Sequence, residues 1–209
     1  MKPLIDYSVY LVTDTVYFKD DSIWNKMEAA LAAGVTLVQY RDKTASSRIL
    51  YERALKMKAL CDKYKVPMLV DDRADIAFAV GAAGVHVGQR DLPAEIALRL
   101  LGADAIIGVS AHNAAEALAA EAAGADYLGC GAVYPTGTKK DTSVIGTEGL
   151  KAVRAATRLP FVGIGGITLA NYNEVLAAGA NGAAVVSAIL GADDITAVVK
   201  KFKQLSLKK

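Results

Sequence analysis

Arg41 and Lys43 stand two residues apart in the segment Gln39-Tyr40-Arg41-Asp42-Lys43, so in extended chain both side chains point the same way. A planar guanidinium beside a compact ammonium can clamp an anion rich in oxygens, and Lys139 could complete such a clamp around a diphosphate. The other use of these cations is local ion pairing, for example with Asp42, and the pair alone does not choose between the two. Asp72 and Asp91 offer the complementary chemistry. Two carboxylates plus substrate phosphates are a usual way to hold Mg²⁺. Each could instead cap a helix, Asp72 the one beginning near Arg73 and Asp91 the one after Leu92-Pro93. Three cations, two from one segment and one from another, favour the anion, and two carboxylates facing a basic rim favour the metal.

Gly165-Gly166 and Val186-Ser187 offer a second anion site, because backbone N–H groups approach a phosphate closely where no Cβ intervenes. Gly137-Thr138-Lys139 lacks the spacing and residue order of a nucleotide-binding P-loop. His86 and His112 are the only histidines, and no Ser-His-Asp or Cys-His arrangement can be built. His86, between Val85 and Val87, is expected to be a hydrogen-bonded structural residue. The set as a whole suits stabilisation of a leaving group, with little general-base chemistry.

Positioning these groups requires a scaffold, and the chain repeats one. Apolar runs of strand length cover Val9–Thr13, Thr36–Arg41, Pro67–Asp72, Val85–Gly88, Ala105–Ser110, Asp126–Gly131, Pro160–Gly165 and Gly182–Ile189. Between them lie helix-period segments at Ser22–Ala33, Ser46–Tyr64, Pro93–Leu101, Asn113–Ala123, Glu148–Arg158 and Thr168–Ala178. The phrase Ala-Ala-Gly recurs at Gly34, Gly84, Gly124 and Gly179, each time ahead of a strand, where Gly is expected to end the helix in a left-handed cap. The strands are nearly continuous in apolarity, as strands buried on both faces are. Eight units in 209 residues, about 26 each, predict a single-domain (β/α)₈ TIM barrel over residues 1–209; an open doubly wound sheet is the alternative. In such a barrel the site lies at the C-terminal strand ends. Gln39–Lys43, Asp71-Asp72, Gln89–Asp91, Ser110, Thr136–Lys139, Gly163–Gly166 and Val186-Ser187 all fall there, while the opposite ends look ordinary. The long connection Ala132–Thr147 is expected to be functional.

Composition excludes several classes. The chain is 53% apolar with a net charge of only +2, so no basic field argues for nucleic acid or an acidic membrane. The lysines near the C-terminus read as a solvated helix and tail. Met1-Lys2-Pro3-Leu4 has neither the apolar run nor the cleavage site of a secretory signal, and no stretch reaches the length of a membrane span. Cys61 and Cys130 form no metal or redox spacing and are expected to be reduced packing residues in a cytoplasmic protein.

The chain resembles the thiamine phosphate synthase family along nearly its whole length, from Tyr10-Leu11-Val12-Thr13-Asp14 to Val185–Ile189. The specific phrases are Gln39–Lys43, Gly84–Asp91, Gly108-Val109-Ser110-Ala111-His112 and Pro135–Asp141. The resemblance implies a transferase coupling 4-amino-2-methyl-5-(diphosphooxymethyl)pyrimidine to a thiazole phosphate, yielding thiamine phosphate and diphosphate. It further implies that Gln39, Tyr40, Arg41, Asp42, Lys43, Asp71, Ser110 and Lys139 contact the pyrimidine diphosphate, with Arg41, Lys43, Ser110 and Lys139 as the catalytic groups. Asp72 and Asp91 would bind Mg²⁺, while Thr136, Gly137, Thr138, Gly166, Val186 and Ser187 would hold the thiazole phosphate. A homodimer is also suggested by the family.

Two positions depart from the family pattern. Asp42 replaces the usual Glu and should alternate away from the clamp, with little effect. Asp71 replaces the usual Asn, which puts a carboxylate near a diphosphate where an amide could donate a hydrogen bond; it is expected to stay near the metal or to be protonated. A thiazole tautomerase-like isomerase is the nearest rival, but it needs a proton-transfer residue and no diphosphate clamp. A catalytically inactive phosphometabolite-binding barrel is the non-enzymatic rival, and the complete clamp weighs against it.

Overall fold

The computed structural model describes residue 2, residues 4–137 and residues 143–207. Eight parallel strands form a closed barrel in sequence order: β1 (Val9–Val12), β2 (Leu37–Tyr40), β3 (Met68–Asp71), β4 (Gly84–Val87), β5 (Ile106–Ala111), β6 (Tyr127–Gly131), β7 (Phe161–Ile164) and β8 (Gly182–Val185). β8 pairs back onto β1, with Tyr10 opposite Ala184, and this closure leaves no sheet edge exposed.

The alternation of strand side chains divides the apolar residues into two cores. Tyr10, Val12, Leu37, Leu69, Ile106, Tyr127, Val162 and Ala184 fill the barrel interior. Val9, Leu11, Val38, Tyr40, Val70, Val85, Val87 and their like face the helices. The helix layer is α1 (Ser22–Ala33), α2 (Ser47–Lys63), α3 (Ala74–Val80), α4 (Ala94–Leu101), α5 (Ala114–Ala122), α6 (Gly146–Ala156), α7 (Tyr172–Ala177), α8 (Ser187–Leu190) and α9 (Ile195–Ser206). Among the described residues no helix is long and apolar enough to cross a membrane. Both cysteines are buried and unpaired.

The structure corrects three expectations. The run Gly182–Ile189 is not one strand: β8 stops at Val185, and Ser187–Leu190 forms a short buried helix. A brief apolar run carries no period by which a strand and a buried helix can be told apart. Helix α3 was absent from the helix-period segments because seven residues, four of them buried, show too little periodicity. Finally, Gly84 is no helix cap. Gly81 caps α3 in the left-handed conformation, while Gly84 opens β4 against β5. A Cβ there would lie 1.9 Å from the Ile106 carbonyl oxygen, so close backbone approach requires glycine.

Candidate active site at the C-terminal mouth of the barrel

Strand alternation sorts the residues of the Gln39–Lys43 segment. Gln39 and Arg41 line the cavity at the mouth, as do Asp71, His86, Ser110, Thr136, Gly166, Val186 and Ser187. Tyr40 points to the helix layer, where its ring meets Phe18 edge-on. The Asp42 carboxylate also leaves the mouth: it accepts from Arg53 Nη1 at 2.6 Å, from Thr15 Oγ1 at 3.0 Å and from the Thr44 and Ala45 amides. These bonds hold its carboxyl below the usual range against the opposing effect of burial. Asp42 thus anchors the loop after β2 and does not neutralise Arg41 or Lys43.

The cations pair elsewhere. Arg41 donates through Nη1 to Asp14, and its Nε lies 3.5 Å from Asp71 Oδ2. Lys43 Nζ lies 2.9 Å from the same Asp71 oxygen and also donates to Asp72. Burial opposes the charge on Lys43, but Asp71 and Asp72 outweigh it and raise its pKa.

Neither candidate metal ligand caps a helix. No side chain caps α3 or α4 at its N-terminus. Asp72 takes φ +58, a left-handed conformation uncommon for a side chain with a Cβ. Its carboxyl is pushed up to about 6, first by burial and then by the charge of Asp71, with the Asp91 carboxyl nearby adding to the rise. Asp91 Oδ2 accepts from the Gly88 amide at 2.9 Å, which fixes it beside the end of β4. Two neighbouring carboxyls, one of them raised by burial and by Asp71 despite its bond to Lys43, form an all-oxygen pair that fits a hard divalent cation. Among the described residues no cluster of three or more His, Cys, Asp or Glu side chains could hold a metal.

Below the cations runs a chain of polar side chains through the barrel interior. Gln39 Nε2 donates to Tyr10 Oη at 2.7 Å, and Tyr10 and Tyr127 share a hydrogen bond of 2.8 Å. Tyr127 Oη bonds His86 Nδ1 at 2.8 Å, and His86 Nε2 bonds Ser110 Oγ at 3.1 Å. Each member sits on a different strand, so the amide of Gln39 and the hydroxyl of Ser110 are oriented from across the barrel. The phenols are held well above their ordinary pKa, foremost by burial, and stay neutral.

On the far side, Gly165 and Gly166 have φ of +95 and +65. Asn171 braces this loop, donating to the Gly166 carbonyl at 3.1 Å and accepting from the Thr168 amide at 2.8 Å, which also delays the start of α7 to Tyr172. Thr136, Val186 and Ser187 line the same side of the cavity, and Gly137 is exposed beside them. Thr138 and Lys139 lie outside the described residues.

Several contributors were missed from sequence. Thr13 and Asp14, just past β1, hold Arg41, and Tyr10 and Tyr127 link Gln39 to His86. The signal for Asp14 was its place at a strand's C-terminal end, where the other mouth residues were found. Buried tyrosines offered none, since a Tyr in a strand reads as packing. His112 also lines the cavity, its Nδ1 bonded to Glu116 Oε2 at 2.7 Å.

Known proteins resemble this chain over its length. The family profile described as thiamine monophosphate synthase (TMP-TENI) matches residues 9–189. A thiamine-phosphate synthase of Clostridium acetobutylicum is 48% identical over 191 residues, covering 91% of this chain and 90% of the relative. One from Ruminiclostridium cellulolyticum is 45% identical over 209 residues, covering both chains completely. The solved structure of a thiamine phosphate pyrophosphorylase from Pyrococcus furiosus superposes with a TM-score of 0.86 at 37% identity over 97% of each chain. With the profile spanning β1 to β8 and relatives aligned over nine-tenths or more of each chain, this barrel belongs to the thiamine monophosphate synthase family.

Proposed function

We propose that the barrel joins 4-amino-2-methyl-5-(diphosphooxymethyl)pyrimidine to a thiazole phosphate, releasing diphosphate and forming thiamine phosphate. The observation that carries this reading is the convergence of Arg41, Lys43, Asp72 and Asp91 on one mouth, above a cavity that reaches Thr136, Gly166 and Ser187.

The C–O bond between the pyrimidine methylene and diphosphate breaks first, and the bonding pair leaves with the diphosphate. The 4-amino group delocalises the resulting cation into the ring. Arg41 and Lys43 donate to the departing oxygens, and Lys139 joins them from the loop after β6. Bound by Asp72 and Asp91, Mg²⁺ would supply further charge neutralisation of the diphosphate. The thiazole nitrogen then forms the new C–N bond. Backbone and side-chain donors at Thr136, Gly137, Thr138, Gly166, Val186 and Ser187 hold its phosphate so that the nitrogen faces the methylene. Gln39 and Ser110, oriented by the polar chain across the barrel, hold the pyrimidine. Tyr40 and Asp42 serve this assembly by packing and by anchoring the β2 loop. No protein base is needed to start the reaction.

Two buried thiols suit a reducing compartment, and the enzyme is read as cytoplasmic, a homodimer acting on small phosphorylated molecules without nucleic acid or membrane. Incubation with both phosphorylated halves, with and without Mg²⁺, followed by mass spectrometry tests the reading. Thiamine phosphate and diphosphate should form only with Mg²⁺. Recovery of both substrates unchanged, or isomerisation of the thiazole alone, would overturn it.

A further inference from the structure

Arg41 and Lys43 are not free to receive an anion. One oxygen of Asp71 lies 2.9 Å from Lys43 Nζ and 3.5 Å from Arg41 Nε, and the Asp71 side chain is only 11% exposed at the cavity wall. A diphosphate clamped by these cations would need the space and the charge that this carboxylate holds.

Asp14 and Asp71 stand differently toward Arg41. Asp14 is buried, and besides taking Arg41 Nη1 it accepts from the Val16 amide at 3.2 Å, which ties it to its own turn. It reads as a fixed brace. Asp71 ends β3 at the cavity wall, and its carboxylate pairs with Lys43 and with Arg41, which lines the same cavity. The mouth also crowds anions, since the charge of Asp71 bears on the neighbouring Asp72 carboxyl.

We propose that Asp71 is an internal counter-anion that occupies the diphosphate clamp when the site is empty and is displaced when diphosphate enters. This rests on the reading that Arg41 and Lys43 take the diphosphate. The carboxylate keeps the two cations paired and oriented between turnovers. It also weakens their hold on the product, since returning to Lys43 and Arg41 it competes with the anion that must leave. An amide at this position could not compete in this way, because it carries no charge.

The test is calorimetric titration of inorganic diphosphate into the full chain, its Asp71→Asn and its Asp71→Ala variant, with EDTA and again with Mg²⁺. Both variants should bind diphosphate at least about tenfold more tightly than the parent protein in EDTA, because each removes a neighbouring negative charge. The alanine variant separates loss of charge from any new hydrogen bond by the amide, and thermal unfolding confirms that both fold. Equal or weaker binding by the folded variants overturns the proposal, as does unchanged diphosphate affinity with lowered Mg²⁺ affinity, which would assign Asp71 to the cation. Binding to the parent that appears only with Mg²⁺, untouched by either substitution, overturns the role of Asp71 and leaves the diphosphate reading standing. No binding by any form in either condition overturns both.

Discussion

Thr13 and Arg41 are joined twice through one hydroxyl: Thr13 Oγ1 accepts from the Arg41 amide at 2.8 Å and donates to the Arg41 carbonyl at 3.0 Å. Thr13 is completely buried, just past β1, and Arg41 follows β2, so this bridge extends the pairing of the two strands to the mouth. It fixes the backbone from which the guanidinium is aimed.

Thr13→Val keeps the shape and deletes both bonds. Two part-buried backbone groups of Arg41 lose a partner, which should cost about 1–3 kcal/mol of stability. Turnover should fall by about tenfold, since a small displacement of a clamping group weakens leaving-group stabilisation. Thermal unfolding and steady-state kinetics read the two effects. Unchanged kinetics would show that Arg41 is aimed by Asp14 and Asp71 without help from Thr13.

Asp72 predicts a pH dependence with a definite sign. Its carboxyl titrates at about 6 in the folded protein against 3.8 ordinarily. A raised carboxyl contributes stability that is fully present below about pH 3.8 and is lost as pH rises through about 6. Without divalent cation this group therefore makes the protein less stable at neutral pH than in mild acid. Asp72→Asn should remove that slope, unfold at higher urea than the parent at neutral pH in EDTA, and lose Mg²⁺-dependent turnover. Urea denaturation at several pH values in EDTA checks the first two. A parent curve flat between about pH 4 and 6 would contradict the coupling of Asp72 to its acidic neighbours.

Much of this architecture was legible because a barrel repeats its signals. Eight apolar runs separated by helical periods gave the strand count, and the polar residues gathered at one set of strand ends gave the mouth. Helix α1 was read to the residue, because Ser22–Ala33 is amphipathic and ends at a left-handed Gly34. What escaped were features set by tertiary contact. Gly84 looked like its three counterparts, yet its role comes from the approach of Ile106, which no local pattern encodes. Arg41 and Lys43 were read as a pair, but that Asp71 lies between them depends on how β2 and β3 register, with Gln39 opposite Leu69. Asp42 was expected to turn from the clamp by alternation, and the partner it turns to, Arg53 on α2, became visible only in three dimensions.

The chain from Gln39 to Ser110 passes through Tyr127, which is fully buried and bonded on both sides. Tyr127→Phe should leave Tyr10 Oη and His86 Nδ1 each short of one partner, at a cost of about 1–3 kcal/mol. Because Gln39 and Ser110 lose their common tether, KM for the pyrimidine substrate should rise several-fold while KM for the thiazole phosphate stays put. Kinetics with each substrate varied in turn decides the matter. An equal rise in both would mean that the chain holds the barrel together without orienting either substrate in particular.

Gly166 offers the converse experiment on the other side of the cavity. Its φ of +65 already disfavours any residue with a Cβ, and a Cβ there would stand 2.6 Å from the Pro135 carbonyl oxygen and 2.8 Å from the Tyr134 side chain. Both neighbours belong to the segment leading to Thr136, so the strain of Gly166→Ala is relieved only by moving that segment or the β7 loop. The donors assigned to the thiazole phosphate should then separate, raising KM for that substrate about tenfold or more, with the pyrimidine diphosphate KM changed little. The Arg41 and Lys43 arm of the diphosphate clamp lies across the mouth just past β2, held by Asp14, Asp71 and Asp72, and shares none of these contacts; the remaining clamp residue, Lys139, follows Thr136 in sequence and accounts for any small rise in the pyrimidine diphosphate KM. A variant impaired equally toward both substrates would show that the Gly165-Gly166 turn supports the whole mouth, and the separate assignment of the two anion sites would fall.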